Sequence, residues 1–290
     1  MVTSQPVRPL AISGGVLIDG NGGAPLPNAT VVIEDGRFSR VGPAAATPVP
    51  DGAEALDARG AYVIPGLVDM HVHTYTPDRQ HTPLFIAAGV TTAMNLGDQV
   101  EHILPLRAAI ESGAVLGPRL FCTGPILEQG EVFEGFAHIS RRIDAARVEA
   151  EVDALADAGM DAIKLYVTIT PDTARRAVAR AHGRGLPVFM HQQATWGADA
   201  ADAGVDCLEH IFPFAEFTPD DPRPDATQMN PFQFGGWMWR WLPDIDPRSE
   251  QIQRFYEHPC CAPARPLRPN AGDLRLAAGR CSGRTWATRR

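Results

Sequence analysis

Lysine is almost missing from this sequence: of 26 basic residues, 25 are arginine and one, Lys164, is lysine. A bias of this kind replaces any lysine whose work is only to carry charge. The survivor is therefore suspected of chemistry that a guanidinium cannot perform, with chance survival as the plain alternative. Long apolar runs are also missing. None approaches the roughly 18 residues of a membrane span, and residues 1–20 lack the basic start, apolar stretch and cleavage site of a secretory signal, so a cytoplasmic protein without a membrane partner is expected. The five cysteines, Cys122, Cys207, Cys260, Cys261 and Cys281, are too few and too irregular for a disulfide framework or a CxxC zinc site. Positive charge is not in excess: a net charge of −8 gives no footprint for nucleic acid, and no nucleic-acid partner is expected.

What is present is ordinary globular composition. Hydrophobic residues at 44% and charged residues at 21% exclude a wholly disordered or fibrous chain, and 290 residues suffice for one large domain or a catalytic domain with a small satellite. Residues 10–63 alternate short β-rich pieces with turn signals such as Gly14-Gly15, Asp35-Gly36 and Asp51-Gly52, which predicts a small β-sandwich module over 1–61 with strands near 30–34 and 38–41. After Ala61 the pattern changes. Strands are predicted at 62–73, 90–95, 119–123, 161–167, 187–191 and 207–211, with amphipathic helices between them, among them 147–158 and 171–184. Repeated βα units imply a parallel sheet covered by helices, either a barrel or a doubly wound sheet. No glycine-rich phosphate fingerprint follows the first strand, which weakens a nucleotide-binding reading.

Beyond residue 211 the alternation stops. Trp237, Trp239 and Trp241 share one face of an extended segment, either as a lid or as an apolar patch seeking core, and a helix is expected from Glu250 to Glu257. Residues 258–290 hold seven arginines, one acidic residue and three of the five cysteines, with no helical or strand periodicity. The expectation is a barrel region over 62–257 and a tail that is disordered or out of the ancestral reading frame.

Chemistry is concentrated in Pro65-Gly66-Leu67-Val68-Asp69-Met70-His71-Val72-His73, a strand ending in His-x-His. Residues i and i+2 of a strand point to the same side, so both imidazoles can grip one metal ion without distorting the backbone. His191 and His210 also fall at strand ends, and Lys164 lies near the end of an intervening strand. A lone histidine at a strand end is most often a satisfied, partly buried residue. Five metal-competent residues at the same ends of four parallel strands, where α/β barrels gather their active sites, point instead to a metal centre. Tyr166 shares the inward face with Lys164, as a substrate contact or as a barrel-layer residue. His138 is a further substrate-binding candidate. Arg141 and Arg142 are read either as carboxylate binders or, preferably, as helix-surface charge.

The ordered set, together with Gly89-Val90-Thr91-Thr92, Ile163-Lys164-Leu165, Val188-Phe189-Met190-His191 and Leu208-Glu209-His210-Ile211, resembles the metal-dependent amidohydrolase superfamily over residues 10–257. Within it, the imidazolonepropionase-like and Xaa-Pro prolidase-like branch is the most similar. The resemblance implies a TIM-like (β/α)8 barrel and two divalent ions, most often Zn2+. His71 and His73 would hold one ion and His191 and His210 the other, with Lys164 bridging them as a CO2-derived carbamate. It also implies hydrolysis of a C–N bond in a small linear, cyclic or dipeptide amide by a metal-bridging hydroxide. The family's aspartate at the end of strand eight, the general base, has no counterpart here. Asp273 lacks the family's strand-end context, and six of eight βα units are readable. The expectations are therefore an incomplete barrel and two rival functions, a working amidohydrolase or an inactive remnant that binds metal at most. Homo-oligomerisation stays open.

Overall fold

The protein, seen as a computed structural model, is described over residues 8–74, 81–130, 132, 134–210, 232, 233, 236, 246 and 248–250. Trp237, Trp239 and Trp241, the tail 258–290 and all but the first residue of the helix expected at 250–257 lie outside these. The chain divides into two compact units, Met1–Gly66 and Leu67–Arg290.

In the first unit, β1 (Leu10–Leu17), β2 (Leu26–Glu34), β3 (Arg37–Pro43) and β4 (Glu54–Asp57) form a sheet in the order β3-β2-β1-β4, and β5 (Tyr62–Val63) also pairs with β1. The β2–β3 turn shows how locally this is written. Glu34 pairs with Arg37, so only Asp35 and Gly36 make the turn, and both have positive φ, 50° and 71°. An Asp-Gly pair accepts that backbone, whose twist matches the flanking strands. β1 pairs antiparallel with β2 but parallel with β4 and β5. Among the described residues this unit is one mixed sheet, not the two-layered sandwich expected.

The second unit alternates strands and helices: β6 (Leu67–Val72), α1 (Thr82–Ala87), β7 (Val90–Asn95), α2 (Val100–Glu111), β8 (Arg119–Cys122), β9 (Ile126–Gln129), β10 (Ser140–Ile143), α3 (Val148–Asp157), β11 (Ile163–Leu165), α4 (Pro171–Gly183), β12 (Val188–Met190), α5 (Gly197–Asp202) and β13 (Cys207–Leu208). Every strand pairing is parallel, in the orders β6-β7-β8 and β10-β9-β11-β12-β13. The two sets are joined just before β11. Asp161 N donates to Cys122 O at 2.8 Å, and the Asp161 carboxylate accepts from Cys122 N and from Arg107, both at 2.9 Å. This is an α/β fold with parallel strands. None of its helices, among the described residues, is long and apolar enough to cross a membrane.

The helices cover the strands with the faces their sequences provide. α3 buries Val148, Val152 and Leu155, and α4 buries Thr173, Ala174, Ala177, Val178 and Ala181, in each case one stripe at helical spacing. All of these but Thr173, whose hydroxyl donates to Gln129 Oε1, join Ile163, Leu165, Val188 and Met190 of the strands in one core. On the outer faces Arg176 meets Glu149, Arg180 meets Asp153, and Arg184 meets Asp153 and Asp157. Exposed pairs of this kind contribute little stability each.

Two further expectations change. The strand predicted over 62–73 is two strands. β5 belongs to the first sheet and β6 to the parallel set, with the break at Pro65-Gly66, where proline offers no N–H to a ladder. Arg141 and Arg142 lie on β10, not on a helix surface, because the stretch after β8 makes an extra parallel pair, β9 with β10. Arg141 reaches Glu151 of α3 at 3.5 Å.

Candidate metal centre

His71 lies within β6 and His73 one residue past it, so strand alternation sends both imidazoles to one side, with ring centroids 5.3 Å apart. His191 follows β12 directly. His210 stands two residues past β13. The rings form a row: His71 to His210 is 4.9 Å, His210 to His191 is 4.7 Å, and His191 to Tyr166 is 4.7 Å, edge to face. Residues from the first and the sixth predicted strands thus meet, which a flat sheet in this strand order would not allow.

His210 has φ of 62°, one of few non-glycine residues here with a left-handed backbone. In a regular strand Glu209 and His210 would face opposite sides. The left-handed residue past the end of β13 breaks that alternation, and both side chains reach His71. The ring of His210 lies beside it, and Glu209 Oε2 is 2.5 Å from His71 Nδ1. Left-handed non-glycine backbone carries a cost and is concentrated at functional sites.

Lys164 sits in the middle of β11, 1% exposed, and its Nζ has no hydrogen-bond partner among the described residues. Burial lowers its pKa to about 8, opposed by the negative charge of Glu209 and by Cys207. The histidines around it are also driven towards the neutral form. Burial, then the neighbouring His71, holds His73 at about 4, and the same two causes hold His210 at about 4. Burial and then Lys164 carry His191 well below its ordinary value. Burial alone would raise Glu209. The hydrogen bond from His71 and the charge of Lys164 overcome it and bring the carboxyl to about 2.

This set fits divalent metal. Neutral imidazoles offer lone pairs, and a buried amine without a hydrogen-bond partner, depressed towards neutrality, is the form that can be carboxylated. His73 Nδ1 donates to Gly97 O at 3.5 Å, which directs Nε2 away from the backbone. Gly97 leaves little room behind it: a Cβ there would come within 2.8 Å of Ile126 and 3.2 Å of His73 Nδ1. Among the described residues no three His, Cys, Asp or Glu side chains already form a closed cation cage; the donors stand as a row.

The structure therefore brings His71, His73, Lys164, His191 and His210 together and adds Tyr166, which is buried and packs on His191 and on Phe136 at 6.0 Å. It does not bring in the His138 side chain, which is exposed before β10 and is felt electrostatically by Asp98. Glu209 was missed by the sequence reading. Its signal was present: it lies two residues after Cys207 and directly before a candidate ligand, and Cys207 Sγ donates to its Oε1 at 3.4 Å.

A parallel α/β fold that gathers four histidines near the ends of β6, β12 and β13 around one buried lysine of β11 offers a donor set that divalent metal fits. The profile of the Amidohydrolase family matches residues 62–219, more than half of the chain, and the chain belongs to that family. An enamidase from Eubacterium barkeri is 29% identical over 202 residues, covering 62% of this chain and 49% of that protein. A dihydroorotase from Anaeromyxobacter sp. (strain K) is 30% identical over 186 residues, covering 63% and 42%. Among solved structures, a prolidase-like protein from Bifidobacterium longum superimposes with a TM-score of 0.63 at 28% identity, covering 71% of this chain and 55% of that one. The chain spans about half the length of these relatives.

Proposed function

We propose that this chain carries the metal centre of a hydrolase acting on C–N bonds of small amides, linear, cyclic or dipeptide, within a (β/α)8-type barrel. The enamidase, dihydroorotase and prolidase-like relatives support that substrate class. The observation that carries the reading is the buried Lys164 amine, without a hydrogen-bond partner and among His73, His191 and His210, which burial drives towards the neutral form.

In this reading His71 and His73 would hold one divalent ion, most often Zn2+, and His191 and His210 would hold the second. Lys164, as a carbamate, would serve as a ligand to them. Neutral Nζ adds to CO2, an N–C bond forms and the nitrogen loses a proton, giving an anion with two oxygen donors. Arginine could not do this, because its guanidinium stays protonated. When bound, such ions acidify water and polarise a carbonyl. The rest is done by side chains of this chain. Burial holds His73, His191 and His210 towards the neutral form that can bind metal, the His73 contact with Gly97 fixes one ring, and Tyr166 packs against His191 and keeps water from that side. Tyr166, buried against His191 and Phe136, then acts chiefly by packing.

The test is metal content of the purified full chain by plasma mass spectrometry, with Lys164→Arg alongside, followed by a screen of amides and Xaa-Pro dipeptides. About two zinc equivalents per chain, lost in the variant, with metal-dependent turnover, is the expected result. Metal without turnover would leave a metal-binding amidohydrolase relative. No metal in the folded wild type would end the metal reading.

A further inference from the structure

We infer that Glu209 is a positioning residue for His71: it holds the ring in the tautomer whose Nε2 is free to bind metal. The inference rests on the metal reading above and goes beyond it, since Glu209 is not among the proposed ligands.

A carboxylate can only accept, so at the 2.5 Å contact the proton belongs to His71 Nδ1, and the lone pair is left on Nε2. Glu209 is itself held. It is 7% exposed, Cys207 Sγ donates to its other oxygen at 3.4 Å, and its backbone N donates to Met190 O at 2.9 Å. The anchor is therefore fixed to the β12–β13 end of the sheet, while the imidazole it orients comes from β6. A ring on a single strand end can rotate about its side-chain bonds; a ring also tied to the opposite strand cannot do so freely.

The two histidines of His-x-His are anchored differently. His73 donates to the neutral carbonyl of Gly97 at 3.5 Å, whereas His71 meets a charged acceptor at shorter range, the stronger kind of hydrogen bond. A carboxylate behind a ligating imidazole also raises the basicity of the nitrogen facing the metal. The left-handed backbone at His210 is what permits this arrangement, because it lets one residue anchor His71 while the next stands beside the same ring. Glu209 thereby links His71 and His210, which the proposed centre assigns to different ions.

The experiment uses the full chain as wild type, Glu209→Gln and Glu209→Ala, with folding checked by circular dichroism. Two quantities are measured: zinc affinity by competition with a chelator, and the His71 tautomer by 15N-resolved NMR of the metal-free protein, assigned with His71→Ala. The expected result is a proton on Nδ1 of His71 in the wild type and a loss of about 10–100-fold in zinc affinity with a mixed tautomer in Glu209→Ala. Glu209→Gln, whose amide oxygen still accepts, should recover most of the affinity. A purely structural role would not give that rescue or move the tautomer. Wild-type zinc affinity in Glu209→Ala would overturn the inference and leave the metal reading standing. So would a wild-type His71 protonated on Nε2, which needs no variant to fold. A folded wild type that takes up no zinc would overturn both.

Discussion

His71 of the first parallel strand and Glu209, just past the last described one, are joined side chain to side chain, Nδ1 to Oε2 at 2.5 Å. They are 138 positions apart in the chain. Their contact means that the strand ends converge on a common volume, and the same volume receives Lys164, His191 and His210. Four consequences can be tested.

Lys164 places a buried amine, without a hydrogen-bond partner, in the core of the site, and its cost should appear in the metal-free protein. Lys164→Met is similar in length and apolar, so we expect it to be more stable than wild type by about 1–3 kcal/mol in chemical denaturation, while losing metal. The gap should depend on pH with a defined sign. The folded amine titrates at about 8 and the unfolded one near 10.5, so between these values the unfolded state binds more protons and wild-type stability rises with pH. The advantage of the methionine variant should be full below pH 8 and shrink towards pH 10.5. A methionine variant that is less stable than wild type at neutral pH would contradict this.

Acid should act through the histidines. His73 and His210 protonate at about 4 in the fold, and burial carries His191 well below its ordinary value, against 6.5 in the unfolded chain. The unfolded state therefore takes up protons first, so their contribution is complete above pH 6.5 and is lost as pH falls towards 4. Urea midpoints of the metal-free protein should drop between neutral pH and pH 5. His210→Gln should flatten that dependence, and an unchanged slope would remove the histidines as its cause.

Gly97 sets the space behind His73. In Gly97→Ala the new methyl would meet Ile126 at 2.8 Å and His73 Nδ1 at 3.2 Å, so something must move. Overpacking of this kind costs about 1–3 kcal/mol. Zinc affinity should fall together with the unfolding midpoint. Unchanged affinity would show that His73 does not depend on this wall.

Asp161 ties the two sets of parallel strands, accepting from Cys122 N and from Arg107. Asp161→Ala leaves both donors without that acceptor and should cost about 1.5–3 kcal/mol per lost charged bond, with less than full additivity. The measurement is again denaturant unfolding, at fixed metal content. A near-neutral result would mean that the junction is carried by the backbone bond from Asp161 N to Cys122 O.

The local grammar of the chain was readable in the sequence. Asp35-Gly36 specifies its own turn, the apolar spacing of α3 and α4 specifies which faces are buried, and His-x-His at a strand end follows from an alternation of period two. The solitary lysine identified itself by composition alone. The extra strands β9 and β10 were not legible, because four-residue strands carry too little periodicity to separate them from a loop. The break at Pro65-Gly66 was hidden for a related reason: apolar residues continue across it, and only pairing partners show that the chain changes sheets.

What the sequence determined by itself is the order of His71, His73, Lys164, His191 and His210 along the chain and the parallel βα alternation that carries them. Each of these depends on residues within a few positions of one another. Only the tertiary structure decided that Glu209 faces His71, that Lys164 is buried and that His210 turns back beside its neighbour. Those facts depend on strand ends far apart in sequence closing on one volume, where water is excluded and charge is costly.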